Sequence, residues 1–177
     1  MRRLIIPALV VLAVAIPALA MARAGTTFQA DLHELNGSGA SGFATATVNG
    51  TTLTVHITAT GLENGAHLRH IHGGAETTSG GSAVQSSKCP TPNRDVDGDG
   101  IISVAEGVPD YGPVIVNLGN FATTTGSIDE TLVFPNFTQS VLPLDKRAIV
   151  LHGMTGPNGY DASIPIVCGQ LHATGNG

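Results

Sequence analysis

The chain has 177 residues, only 12% of them charged, and 13 acidic against 8 basic side chains leave it at a formal −5. No basic run follows the first few residues, which excludes the electrostatic footprint of a nucleic-acid partner. The two cysteines, Cys89 and Cys168, are too few for a small disulfide-dense scaffold and enough for one cross-link.

The N-terminus reads Met1-Arg2-Arg3, then an apolar run over 4–20, then two small-x-small sites, Ala18-Leu19-Ala20 and Ala22-Arg23-Ala24. That order predicts a secretory signal peptide over 1–24. An uncleaved membrane anchor is the alternative, because the run is nearly long enough to span a bilayer. Pro7, Pro17 and the two cleavage sites favour removal. The mature chain is then exported, to a periplasm or cell envelope or to the outside, with no membrane span left. Removal takes three arginines, so Lys plus Arg falls from 8 to 5 against 13 acids, and the net charge moves to −8. The remaining 25–177 is about 150 residues, enough for one domain with its own core.

That domain reads as all-β. In "GFATATVNGTTLTVHITAT" two Thr/Val-rich runs flank Asn49-Gly50, a preferred two-residue hairpin turn. In the second run Leu53, Val55, Ile57 and Ala59 alternate with Thr54, His56, Thr58 and Thr60, the pattern of a half-buried strand. Further strands are predicted at 28–35, 67–72, 114–118, 131–134, 148–152 and 164–171, separated by Gly, Asn, Pro and Ser. Many short strands with such turns predict a sandwich or barrel. Residues 73–113 form a long Gly/Ser-rich insertion, and loops of that length are often functional.

Within the insertion, 95–106 reads "DVDGDGIISVAE" and matches D-x-[DN]-x-[DN]-G-x5-E throughout. Asp95, Asp97 and Asp99 alternate, Gly100 permits a sharp turn, the Ile101 carbonyl and Ser103 follow, and Glu106 takes the twelfth position. Calcium wants six to eight hard oxygen ligands, which such spacing wraps around it. The prolines of "CPTPNR" exclude a regular entering helix. "IISVAEG" allows one helical turn afterwards, so the expectation is a structural calcium clip rather than a sensor. Cys89 and Cys168, in an exported chain, are expected to form a disulfide. It closes a loop of about 80 residues, worth on the order of 4 kcal/mol in the chain-entropy model.

Three of the seven histidines, His67, His70 and His72, fall in "GLENGAHLRHIHGG". On a strand, residues two apart face the same side, so His70 and His72 project together. Two imidazoles on one side can share a transition-metal ion. HxH alone is a weak signal, and His152, at the end of "RAIVLH", is the candidate third ligand.

"GLENGAHLRHIH" resembles the GLxxGxHxxHxH stretch of copper/zinc superoxide dismutases. "NLGN" (117–120) is similar to that family's DLGN, "RAIVLH" (147–152) to its RxxVVH, and "CGQL" (168–171) to its CGVI, in the family's order. The resemblance implies a Greek-key β-barrel, copper on His70, His72 and His152, His67 as a supporting histidine that does not ligate, and a Cys89–Cys168 bridge pinning the long loop. No catalytic residue beyond the metal ligands is implied. Departures are equally specific. The bridging and zinc histidines are absent from 90–115, the zinc Asp is Asn117, the channel Arg is Pro165, and no acidic pair follows His152. No zinc is therefore expected, and calcium takes over as the staple of the loop. Two functions follow as expectations. One is an exported copper-only superoxide dismutase acting on a small anion, superoxide. The other is a non-catalytic copper- and calcium-binding β domain of the same fold. A homodimer through an apolar strand face is compatible with either.

Overall fold

A two-residue loop, Gly50-Thr51, joins the first clear hairpin, with Asn49 paired to Thr52 across it. The predicted turn, Asn49-Gly50, is thus displaced by one residue. Gly50 has φ +59°, and glycine at the first loop position suits the II′ turn that matches strand twist. The computed structural model describes residues 25–74, 86–137 and 143–174. The expected signal peptide, 1–24, lies outside the described residues.

The hairpin strands are β2 (Ser41–Asn49) and β3 (Thr52–Thr60). Leu53, Val55 and Ile57 are fully buried and the alternating threonines are half-buried. Each such apolar side chain contributes roughly 1.5–3 kcal/mol over exposure. The other strands are β1 (Thr26–Glu34), β4 (Gly65–Gly73), β5 (Val114–Thr123), β6 (Ser127–Phe134), β7 (Arg147–Gly156), β8 (Gly159–Gln170) and the short β9 (His172–Ala173). They form one antiparallel sheet in the order β5-β4-β7-β8-β1-β2-β3-β6, with β9 added to β1. The chain is all-β, and the sheet curls into a nearly closed barrel around Leu53, Ile57, Ile71, Leu118, Ile149 and Ile166. After β4, β5 and β6, strand β7 returns to lie beside β4, a Greek-key return.

The barrel's seam lies between β5 and β6, which do not pair as strands. Arg69 of β4 spans it. Its Nε donates to the Leu118 carbonyl at 3.1 Å and its guanidinium pairs with Glu130 of β6. The guanidinium carbon sits 5.1 Å over the Phe121 ring.

Four strands outrun their predicted limits by four residues or more, β6 among them because it begins at Ser127. β5 continues through Gly119 (φ +86°) to Thr123. β7 and β8 extend beyond 152 and before 164 into a hairpin. "GMTGPNGYDAS" carries turn residues throughout, yet cross-strand pairing overrides local preference. Register shifts around His152 mark a bulge, where Gly153 takes φ +117°.

The described part of the insertion contains a 3-10 turn (Pro92–Arg94) and helix α1 (Val104–Tyr111). The helix is longer than the single turn expected. Ser103 caps it, and Glu106 completes a capping box. Cys89 bonds to Cys168 of β8. Asn36, at φ +59°, adds a second tie: its Nδ2 donates to the Ile102 and Pro165 carbonyls at 3.0 and 2.9 Å, and its Oδ1 accepts from Ile102 N at 2.7 Å. Asn36→Ala should cost about 2 kcal/mol in urea unfolding, from the orphaned backbone groups. A loss below about 0.5 kcal/mol, the level of ordinary surface substitutions, would mean that this tie does not hold the insertion. Among the described residues no helix is long and apolar enough to cross a membrane.

Candidate metal centre

β4 and β7 pair side by side, with His70 opposite Val150 and His72 opposite Ala148. His70 and His72 share a face because they are two residues apart on a strand. The bulge in β7 turns the His152 ring toward them. Ring centroids lie 5.2 Å apart for His70–His152, 5.5 Å for His70–His72 and 5.8 Å for His72–His152. One nitrogen from each ring falls within 4.8 Å of the others.

The second nitrogen of two rings is tied down. His72 Nδ1 lies 2.8 Å from the Gly112 carbonyl, and His152 Nδ1 lies 2.7 Å from the Ser163 carbonyl. A carbonyl only accepts, so each Nδ1 carries the proton and each Nε2 presents a lone pair. His152 Nε2 stands 3.4 Å from His70 Nδ1. Two nitrogens each 2.0–2.1 Å from one ion in trigonal or tetrahedral geometry sit roughly 3.3–3.6 Å apart. His72 Nε2 is buried and has no hydrogen-bond partner. An orphan of that kind in a native fold asks for an explanation.

Burial keeps these rings neutral. It pushes His72 down to about 4, against the opposing pull of the Gly112 carbonyl. It pushes His152 down to about 3, helped by the neighbouring His70 and His72 and opposed by Ser163. His70, half-buried, is also lowered by burial. Neutral imidazole is the form that binds metal.

His67 is elsewhere. It is fully buried, with Nδ1 2.9 Å from the His152 carbonyl and Nε2 2.8 Å from the Glu63 carbonyl. Its ring stacks on Phe121 at 5.0 Å. Both nitrogens are engaged, and the ring braces the backbone of His152.

In the acidic loop, carboxylate oxygens of Asp95, Asp97 and Asp99 come within 4.8 Å of one another. Asp95 accepts from Gly98 N and Gly100 N at 2.9 and 3.0 Å, Asp97 from Asp99 N at 3.2 Å, and Asp99 from Ile101 N at 2.8 Å. Glu106, expected to close the shell, accepts instead from Ser103 N, Val96 N and Asp97 N. Those bonds, Ser103 first, hold its carboxyl down to about 2. Ser103 Oγ bonds to Glu106 rather than joining the aspartates, and Ile101 is half-buried beside the core. The sequence carried no signal for the Gly112 and Ser163 carbonyls, because any residue offers a carbonyl. Tyr111, whose ring lies 4.5 Å from His72, was also missed.

The family model of the CHRD domain matches residues 28–130, more than half of the chain. The chain belongs to the CHRD domain family. No curated protein matches it. The CHRD match overturns the resemblance to copper/zinc superoxide dismutases, and with it the expectation of an exported dismutase acting on superoxide and its non-catalytic counterpart in that family. The labels of oxidoreductase, copper enzyme and EF-hand protein fall with it. The physical reason is that the quoted pieces are short strand-and-turn patterns, which a β domain of another family can carry. The residues specific to dismutase chemistry, the bridging histidine and the channel arginine, were the ones missing. The acidic loop also lacks an entering helix, since a 3-10 turn precedes it. The CHRD span contains His70, His72 and the acidic loop, whereas His152 and Cys168 follow it.

Proposed function

We propose that this CHRD protein is an exported β domain that binds a late first-row transition-metal ion on His70 Nδ1, His72 Nε2 and His152 Nε2. The observation that carries the reading is the buried, partnerless Nε2 of His72, set in one cluster with the ligand atoms of His70 and His152. Burying a polar nitrogen without a partner is costly unless something fills the role. Three neutral imidazoles suit copper, zinc, nickel or cobalt, and copper(II) heads the affinity order, ahead of zinc(II). No carboxylate belongs to the set, so the hard cations magnesium and calcium are disfavoured there. The apolar N-terminal run and the disulfide support export.

The test is a titration of the metal-free chain with copper(II), zinc(II) and cobalt(II), followed by calorimetry, with metal analysis of the chain as purified. One equivalent should bind with submicromolar affinity for copper(II). Absence of any stoichiometric binding would overturn the reading.

The acidic loop supports a second, structural ion, calcium, on the Asp95, Asp97 and Asp99 carboxylates. Its support is the complete motif spacing and the convergence of the three carboxylates. Calcium in hundredfold excess over its Kd should stabilise by about 2.7 kcal/mol. The same melting temperature with and without a chelator would sink this second reading and leave the first untouched.

A further inference from the structure

Tyr111 is fully buried at the end of α1, in a small apolar cluster with Leu35, Ala148, Val150 and Cys168. Its ring meets His72 edge-on, with centroids 4.5 Å apart and planes at 61°. Gly107, one helical turn earlier, makes the space. A Cβ on Gly107 would lie 2.4 Å from Tyr111 Cε1, so only glycine leaves the ring where it is. The hydroxyl closes the turn by donating to the Val104 carbonyl at 3.3 Å. The backbone beside the ring is stitched to the His72 strand. Ser87 Oγ lies 2.9 Å from the Tyr111 carbonyl and 3.2 Å from the His72 carbonyl, and the next residue, Gly112, accepts from His72 Nδ1.

A histidine ring turns broadly about its second torsion. The hydrogen bond from Nδ1 to Gly112 fixes the tautomer and limits that rotation. An aromatic ring packed edge-on against His72 narrows it further. We propose that Tyr111, seated on Gly107, is a positioning residue that fixes the plane of His72 so that Nε2 points at the metal. The inference rests on the metal-binding reading above. Ligand rings must be held within about 10–20° of their productive orientation for tight binding, and losing a partner behind a ligand typically costs about 10–100-fold in metal affinity.

The experiment compares Tyr111→Phe, Tyr111→Leu and Gly107→Ala in the full chain. It reads zinc(II) affinity by competition and the visible spectrum of the cobalt(II) form. Tyr111→Phe keeps the aromatic ring and should bind as the unaltered chain does. Tyr111→Leu should bind about tenfold more weakly or worse, with a changed cobalt spectrum. Gly107→Ala, which pushes the ring from its seat, should move both readouts the same way. A merely structural role would lower the melting temperature and leave the affinity and spectrum of the folded fraction alone. If Tyr111→Leu folds and binds within twofold, with an unchanged spectrum, the proposal is overturned. If Tyr111→Leu does not fold, Gly107→Ala decides by the same criterion. Failure of the unaltered chain to bind any metal removes the metal-binding reading and this inference together. Binding by the unaltered chain with indifferent variants removes this inference alone.

Discussion

His72→Ala abolishes tight transition-metal binding. The substitution removes the buried, partnerless lone pair and leaves His70 and His152 as a two-ring chelate open on its His70 side. The loss should be at least a hundredfold, since disturbing a residue merely behind a ligand already costs about 10–100-fold. His152→Ala should match it. His67→Ala should fall between these and no effect, because it removes the brace on the His152 carbonyl and spares all three ligands. His56→Ala is the control: that ring lies far along the sheet on β3, exposed and paired with Asp129 at 2.9 Å. Competition titrations with a chromophoric chelator separate these cases. Equal affinities for the His72 and His56 variants would place the metal elsewhere.

The metal-free chain should lose stability as pH falls from about 6.5 toward 3. His72 and His152 are lowered to about 4 and about 3 in the fold, while in the unfolded chain each titrates near 6.5. Between those values the unfolded state holds more protons than the native state, so acid favours unfolding. Well above about pH 6.5 both rings are neutral in both states and the effect is absent. Over the window the loss is on the order of a few kcal/mol. Below pH 4.5 the depressed Glu106 carboxyl pulls in the same direction, because its anion is the form the fold hydrogen-bonds. Urea unfolding across pH 7 to 4 is the measurement. The His72→Ala/His152→Ala double variant should show a flatter profile over this range. An identical slope in both chains would mean the buried rings are not the source of acid sensitivity.

How much of this could be read from residues alone depended on distance along the chain. Leu53, Val55, Ile57 and Ala59 were legible as one buried face because a strand's period is local. His70 and His72 were legible as a pair for the same reason. The reach of β7 and β8 through "GMTGPNGYDAS" was not, because those glycines gain their strand conformation only from cross-strand partners. The turn at Gly50 slipped by one residue because Asn-Gly and Gly-Thr both suit a two-residue loop, and only the pairing of Asn49 with Thr52 decides between them. In the candidate site, side-chain identities were visible, and the orienting groups were backbone carbonyls, which no residue type announces. The mistaken family arose in the same way. Strand motifs around His70 and Cys168 were recognised locally, while membership is carried by the whole span from 28 to 130.

The order of strands in the sheet also governs the timing of folding. β7 and β8 sit in the middle of the sheet yet arrive near the end of the chain. Until residues 147–170 have emerged, β4 with β5 has no connection to the β1-β2-β3-β6 group through the ladder, and each piece presents an unpaired edge. Such edges are sticky, and non-local pairing is slow because loop closure must precede its reward. Cys89 meanwhile waits 79 residues for its partner as a bare thiol. A chain emerging N-terminus first therefore passes through two incomplete half-shells once β6 is out and before β7 follows. One late segment then delivers the third histidine, the second cysteine and the joining strands together.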